Sequence, residues 1–241
     1  MAEYRHHGHP FKFAKLDVKD VFWRMSVDDV DAWNFCYVLP SLKERTLLDD
    51  IEIVVPNRMQ MGWGESPPFF CSGSETARDL MEPMRATELP PHKFENEMLK
   101  KVRATDTNKN LQGLIDLLEV YVDDFIAMSN NIEQAHLRQL SRAMMHEIHA
   151  IFPPPEVTGH KGFDPIAYKK LVDGDGIWDF YKEILGWDFD GIEYTIQLPE
   201  KKCAAICSLL RKLLNKTRVA LKQFQKHAGN LQHASLAIPN G

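Results

Sequence analysis

The stretch "LEVYVDDFIAMSN", residues 118–130, sets two adjacent aspartates inside an apolar run. Val120, Val122, Phe125 and Ile126 favour a strand, and a strand does not bury two neighbouring carboxylates without compensation. A strand–turn–strand with Asp123 and Asp124 at its tip removes the conflict if a divalent cation sits between them and a third carboxylate. That third group belongs at the end of a neighbouring strand. "AKLDVKDVFWR" (14–24) supplies it: Asp17 ends an alternating strand over 11–18, and Asp20 follows where the chain turns towards a helix. Such a set can hold two Mg²⁺ ions about 3.5–4 Å apart, the arrangement used for in-line phosphoryl displacement. All-oxygen ligands favour magnesium, or manganese, over zinc.

Outward from this hairpin, strands and helices alternate. "FCYVLP" (35–40) and "IEIVVPNRMQM" (51–61) read as strands of a hairpin joined through "LLDD", after a helical turn in "VDDVDAWNF" (27–35). "SPPFFCSGSETARDLMEPM" (66–84) reads as a helix with Ser66 as its N-cap and prolines in its first turn. The polar stretch from Arg85 to Gly113 reads as a mostly exposed insertion, either part helical or flexible. "NIEQAHLRQLSRAMMHEIHAIF" (131–152) is an amphipathic helix ended by three prolines. "DPIAYKKLV", "YKEILGWDFDG" and "IEYTIQLP" read as short strands, and helices over 199–216 and 219–236 finish the chain. Many hairpins among the helices predict an α+β fold rather than a doubly wound parallel sheet.

The net charge of −5 hides an asymmetry. From Lys201 to Gly241 the chain has eight Lys and Arg and no acid, which leaves the first 200 residues at −13. A basic surface for a polyanion beside an acidic, cation-holding region is the expectation. The start "MAEYRHHGHPFKF" is no signal peptide, and no apolar run reaches the roughly 18 residues of a membrane span. An intracellular protein, in cytoplasm or nucleus and without a membrane partner, is expected. Cys36, Cys71, Cys203 and Cys207 form no CxxC pair, so free thiols are expected rather than a disulfide or zinc framework.

Several motifs are decoys. "HEIH" (146–149) is one residue short of HExxH, and its histidines read as a solvated or half-buried helix face. "DGDG" (173–176) lacks the rest of a calcium loop. "NKT" (215–217) is a sequon that a chain without a secretion signal does not use.

In motif order, the chain resembles the reverse transcriptase of retrotransposons over about residues 11–240. "KLDVKDVFWR" (15–24) is similar to the family's first catalytic motif, with Asp17 as metal ligand and Phe22 beneath the sugar. "MQMGWGESPPFF" (59–70) resembles the glycine turn beside template and incoming nucleotide, although Met61 stands where many relatives have glutamine and Gln60 lies one position earlier. "YVDD" (121–124) is the most specific signature. "YKKL" (168–171) falls at the lysine motif, "EILGW" (183–187) resembles the primer-gripping turn, and "FQKHAGNLQHASLAIP" (224–239) resembles thumb and connection.

The resemblance implies a right-hand polymerase palm, ferredoxin-like with helices on one face and with a partial fingers hairpin, over 1–198, and a basic helical thumb over 199–241. The implied activity is nucleotidyl transfer: RNA-directed DNA synthesis from dNTPs on a primed RNA or DNA template. Asp17, Asp123 and Asp124 are the implied catalytic and metal residues, with two Mg²⁺ or Mn²⁺. Asp20, Val21, Phe22, Met61, Gly62 and either Lys169 or Lys170 are implied at the nucleotide. Tyr121, Gly186, Trp187, Arg211, Lys212 and Lys216 are implied at primer and template. Only sixteen residues precede Asp17, so most of the fingers is expected to be missing and the chain to be a fragment. The rival expectation is a weakly active or inactive retroelement-derived protein that binds nucleic acid through its basic tail.

Overall fold

In chain order the computed structural model contains β1 (Lys12–Asp17), β2 (Tyr37–Val38), β3 (Ile53–Val54), α1 (Ser66–Met84), α2 (Glu95–Met98), β4 (Asp116–Tyr121), β5 (Asp124–Ser129) and α3 (Gln134–Ile151). There follow α4 (Tyr168–Asp173), β6 (Tyr181–Ile184), β7 (Trp187–Asp190), β8 (Thr195–Gln197), α5 (Glu200–Leu214) and α6 (Leu221–Ser235). The described residues are 9–40, 51–106, 113–154, 163–215 and 218–235. The fold is mixed α+β, and every strand pairing among these residues is antiparallel.

The central sheet has the order β1-β5-β4. Ala14 and Leu16 of β1 are buried in the main core, Phe13 on the opposite face is buried with its ring 5.6 Å from that of Phe189, and the outer edge of the strand is covered as well. There the amides of Phe11, Phe13 and Lys15 donate to the carbonyls of Gly191, Asp179 and Asp175. One face of the sheet carries α1 and α3. On α3, Leu137, Leu140, Met144 and Ile148 recur at helical spacing and are fully buried. Phe70 of α1 stacks on Phe152 at 5.1 Å between ring centroids, and removing such a buried ring costs about 3–5 kcal/mol.

Several local expectations are corrected. "DPIAYKKLV" is not a strand: only Ile166 pairs, with Val18, and 168–173 form α4. The helix starts with Leu171 donating to Ala167, which brings Tyr168 and Leu171 together against the core, and it stops at Gly174 with φ 119. Ser66 does not cap α1. It is the first helical residue after Glu65, and its hydroxyl donates to the Gln60 carbonyl at 2.8 Å. The segment after Arg85 is not simply exposed: Phe94, Met98, Leu99 and Val102 enter the main core. Their spacing of four, one and three residues is a helical stripe diluted by the polar residues between them.

The hairpin expected of strands 35–40 and 51–61 is reduced to the short pair Tyr37–Val54 and Val38–Ile53, bounded by Pro40 and Pro56. Its "LLDD" link lies outside the described residues. "YKEILGWDFDG", read as a short strand, forms the hairpin of β6 and β7, and its turn residues Leu185 and Gly186 both have positive φ, 49 and 82, as a two-residue type I′ turn requires. The four cysteines are free. Among the described residues no helix is long and apolar enough to cross a membrane.

Candidate active site

The register of the central sheet assembles the site. Asp124 opens β5 and lies directly across from Asp17 on one side and Tyr121 on the other. Between Tyr121 and Asp124 the turn is only Val122–Asp123, and Val122 takes φ 56. A β-branched residue rarely adopts that conformation. Two anchors hold it: Val122 packs on the core, and the Val18 amide donates to the Asp123 carbonyl at 3.0 Å. The same end of β1 is fastened on its other side, where the Ala167 amide donates to the Asp17 carbonyl at 2.8 Å.

This places three carboxylates around one strand end. Burial raises the pKa of Asp17; Lys170 opposes the rise and Asp123 adds to it. Burial likewise raises that of Asp124, with the charges of Asp123 and Asp17 adding to the effect and Lys15 opposing it. The counter-charge is Lys170, whose ammonium pairs with Asp17. Burial works against that ammonium, but its bond to Asp17 and the fields of Asp124 and Asp123 outweigh it and raise its pKa. Lys170 therefore feels three acids and its pKa rises, while at Asp17 burial, with Asp123 adding to it, outweighs Lys170 and Lys15 and the pKa rises too.

Lys170 touches Asp17, whereas Lys169 points to solvent. Lys15, whose ammonium lies 3.2 Å from Asp175, is a further cation of the site that motif order did not single out. Its signal was its place in β1, two residues before Asp17 and on the same face. Among the described residues no three His, Cys, Asp or Glu side chains are arranged to hold a metal ion. Asp17 is instead engaged by the Lys170 ammonium.

Around this centre, Asp20 takes φ 58 and leads into a 3-10 turn over Val21–Arg24. Phe22 is half-buried and meets Phe70 edge-on at 6.0 Å, so its ring belongs partly to the core. Met61 is 75% exposed beside Gly62, where φ is 99 and an added Cβ would meet nothing within 4 Å. The Gln60 side chain turns back to the Arg58 carbonyl.

Tyr121 extends its ring to solvent. Gly186, in the turn between β6 and β7, and Trp187, the first residue of β7, belong to the three-stranded sheet β6-β7-β8, where the Gly186 carbonyl accepts from Lys202 at 3.0 Å and Trp187 packs on His233. Arg211 and Lys212 occupy the exposed last turn of α5, and Lys216 lies outside the described residues. No protein-family model matches the chain, and no curated protein matches it.

Proposed function

We propose that the chain is the palm and thumb portion of a retroelement reverse transcriptase, an RNA-directed DNA polymerase joining dNTPs to a primer 3′-hydroxyl on an RNA or DNA template. The observation that carries this reading is the pairing of Asp17 with Asp124 across the sheet, with Asp123 in the adjoining two-residue turn. Three carboxylates from two strands and the turn between β4 and β5, gathered at one sheet end, are costly to keep ionised unless a cation is there.

The donor set suits a hard divalent ion: three carboxylates and no thiolate, with Asp17 and Asp124 pushed towards protonation chiefly by burial and further by the charge of Asp123. Asp17 and Asp123 would hold Mg²⁺ or Mn²⁺, with Asp124 auxiliary. A bound pair of such ions supplies Lewis-acid charge at the primer hydroxyl and at the departing pyrophosphate. The remaining roles fall to the protein. Lys170, whose Nζ stands beside Asp17, would be placed to protonate the pyrophosphate. The backbone from Val18 to Val21 faces the triphosphate, with Asp20 at its bend. Phe22, fixed against Phe70, forms the floor below the sugar, and the side-chain-free turn at Gly62 lets a base pair approach past Met61. Tyr121, Gly186 and Trp187 contact the primer, and Arg211, Lys212 and Lys216 meet the backbone phosphates.

Primer extension on poly(A)/oligo(dT) with Mg²⁺ tests the reading. Extension that Asp123→Asn abolishes supports it. Salt-dependent binding of the duplex without any extension would favour the binding-protein alternative.

A further inference from the structure

His149 is half of the HEIH decoy, yet it stands in a hydrogen-bonded row linking three separate segments. The Phe94 amide lies 3.2 Å from His92 Nδ1, His92 Nε2 lies 3.2 Å from His149 Nδ1, and His149 Nε2 lies 2.9 Å from Asp164 Oδ1. One proton arrangement satisfies all three bonds. The Phe94 N–H can only donate, so His92 Nδ1 accepts and the His92 proton sits on Nε2. It donates to His149 Nδ1, which leaves the His149 proton on Nε2 for the Asp164 carboxylate. Burial is the main cause lowering the His92 pKa to about 3, which keeps its ring neutral, as this arrangement requires.

The far end of the row is tied to the site. Asp164 is 3% exposed, and its Oδ1 also accepts the Ile166 amide at 3.0 Å. Its second oxygen pairs with Lys93. The Arg24 guanidinium donates to the carbonyls of Phe163 and Asp164, each at 3.1 Å. From Asp164 the chain runs along the end of β1: the Lys19 amide donates to Pro165, Val18 pairs with Ile166, and the Ala167 amide donates to Asp17. Directly afterwards α4 begins and delivers Lys170 to the Asp17 carboxylate.

We propose that His149, acting through Asp164, is a positioning residue for Asp17: it fixes segment 164–167 against α3, and that segment sets both the backbone of Asp17 and the reach of Lys170. The proposal rests on the polymerase reading only in taking Asp17 as a metal ligand. A phenylalanine at position 149 would keep the ring volume but deprive Asp164 of a donor and His92 of an acceptor. A glutamine could restore the bond to Asp164 through its amide.

The test uses the full chain at pH 7.5, with Mn²⁺ titration, amide exchange and ¹⁵N imidazole shifts. In the parent, His92 and His149 should both show the Nε2–H tautomer; an Nδ1–H tautomer on either would overturn the row. His149→Phe should weaken Mn²⁺ binding by about tenfold, the low end for residues that orient a metal ligand. It should also speed exchange at Ala167 and Lys19 while β5 amides stay protected, and His149→Gln should recover most of both. Unchanged Mn²⁺ affinity and unchanged exchange at those two amides in His149→Phe would reduce the row to a core contact. So would loosening spread evenly over α3 and β5. A parent that binds no Mn²⁺ would remove the polymerase reading instead, and exchange at Ala167 and Lys19 would then decide the proposal by itself.

Discussion

Lys170 of α4 holds the carboxylate of Asp17 at the end of β1, across 153 positions of sequence. The ammonium stands against a ligand that a metal ion would need, so the two cations compete. Lys170→Met should strengthen Mn²⁺ binding in the absence of nucleotide, by roughly threefold to tenfold or about 0.7–1.4 kcal/mol, while slowing primer extension. Calorimetric titration of parent and variant checks this. Weaker binding in Lys170→Met would mean that the lysine organises the carboxylates rather than blocking them.

The turn at Val122 stores strain. A non-glycine residue at positive φ costs on the order of 1–2 kcal/mol, and Val122 is held there at φ 56. Glycine loses the valine's packing at any site, but at this one it also releases the strain. Val122→Gly should therefore be less destabilising than Val120→Gly, in the regular part of β4, by about 1–2 kcal/mol. Urea unfolding of the two variants measures the difference, and equal losses would remove strain from the account of this turn.

Acid stability should report on Glu95. Its carboxylate is buried and accepts from Arg142 Nε at 2.6 Å, Arg138 at 2.6 Å and the His92 amide at 2.9 Å. The bond to Arg142 is the largest influence lowering its pKa to about 2, and burial opposes it. A carboxylate depressed in the folded state contributes stability that is complete above its unfolded pKa near 4.5 and is lost as pH falls towards 2. Glu95→Gln should be less stable than the parent at pH 7 by up to ~3 kcal/mol, with the gap closing between about pH 4.5 and 2. Thermal melts across that range test it; a gap that does not narrow in acid would contradict the assignment.

The strand-end aspartates were legible in the sequence because alternation marked 11–18 as a strand ending at Asp17, and two adjacent acids inside the apolar run 118–130 marked a turn. The alternation left the register open, so the facing of Asp124 with Asp17 came only from the structure. "DPIAYKKLV" misled because Ile166 and Tyr168 alternate over too short a run to separate a strand from the approach to a helix. His149 gave no signal of its role, since its partner His92 lies 57 positions away and a spacing argument reaches only along one helix. Lys170 and Lys169 could not be told apart until α4 replaced the expected strand and turned only one of them towards Asp17.

The basic C-terminal helices should bind primer-template through phosphate neutralisation. Each phosphate neutralised adds about 0.9 to the slope of log affinity against log salt. Arg211→Glu with Lys212→Glu should flatten that slope by roughly two to four and leave Mn²⁺ binding at the carboxylates unchanged. Fluorescence anisotropy over a salt series measures it, and a slope that stays the same would take the exposed end of α5 out of the interface.

The most direct measurement is Mg²⁺-dependent extension of oligo(dT) on poly(A) by the parent and by Asp123→Asn, with folding and duplex binding checked in both. The account predicts extension by the parent, and a loss of at least about a thousandfold in the variant, roughly 4 kcal/mol of barrier, with duplex affinity unchanged. Equal rates in parent and variant, or a folded, duplex-binding parent that never extends a primer, would contradict it.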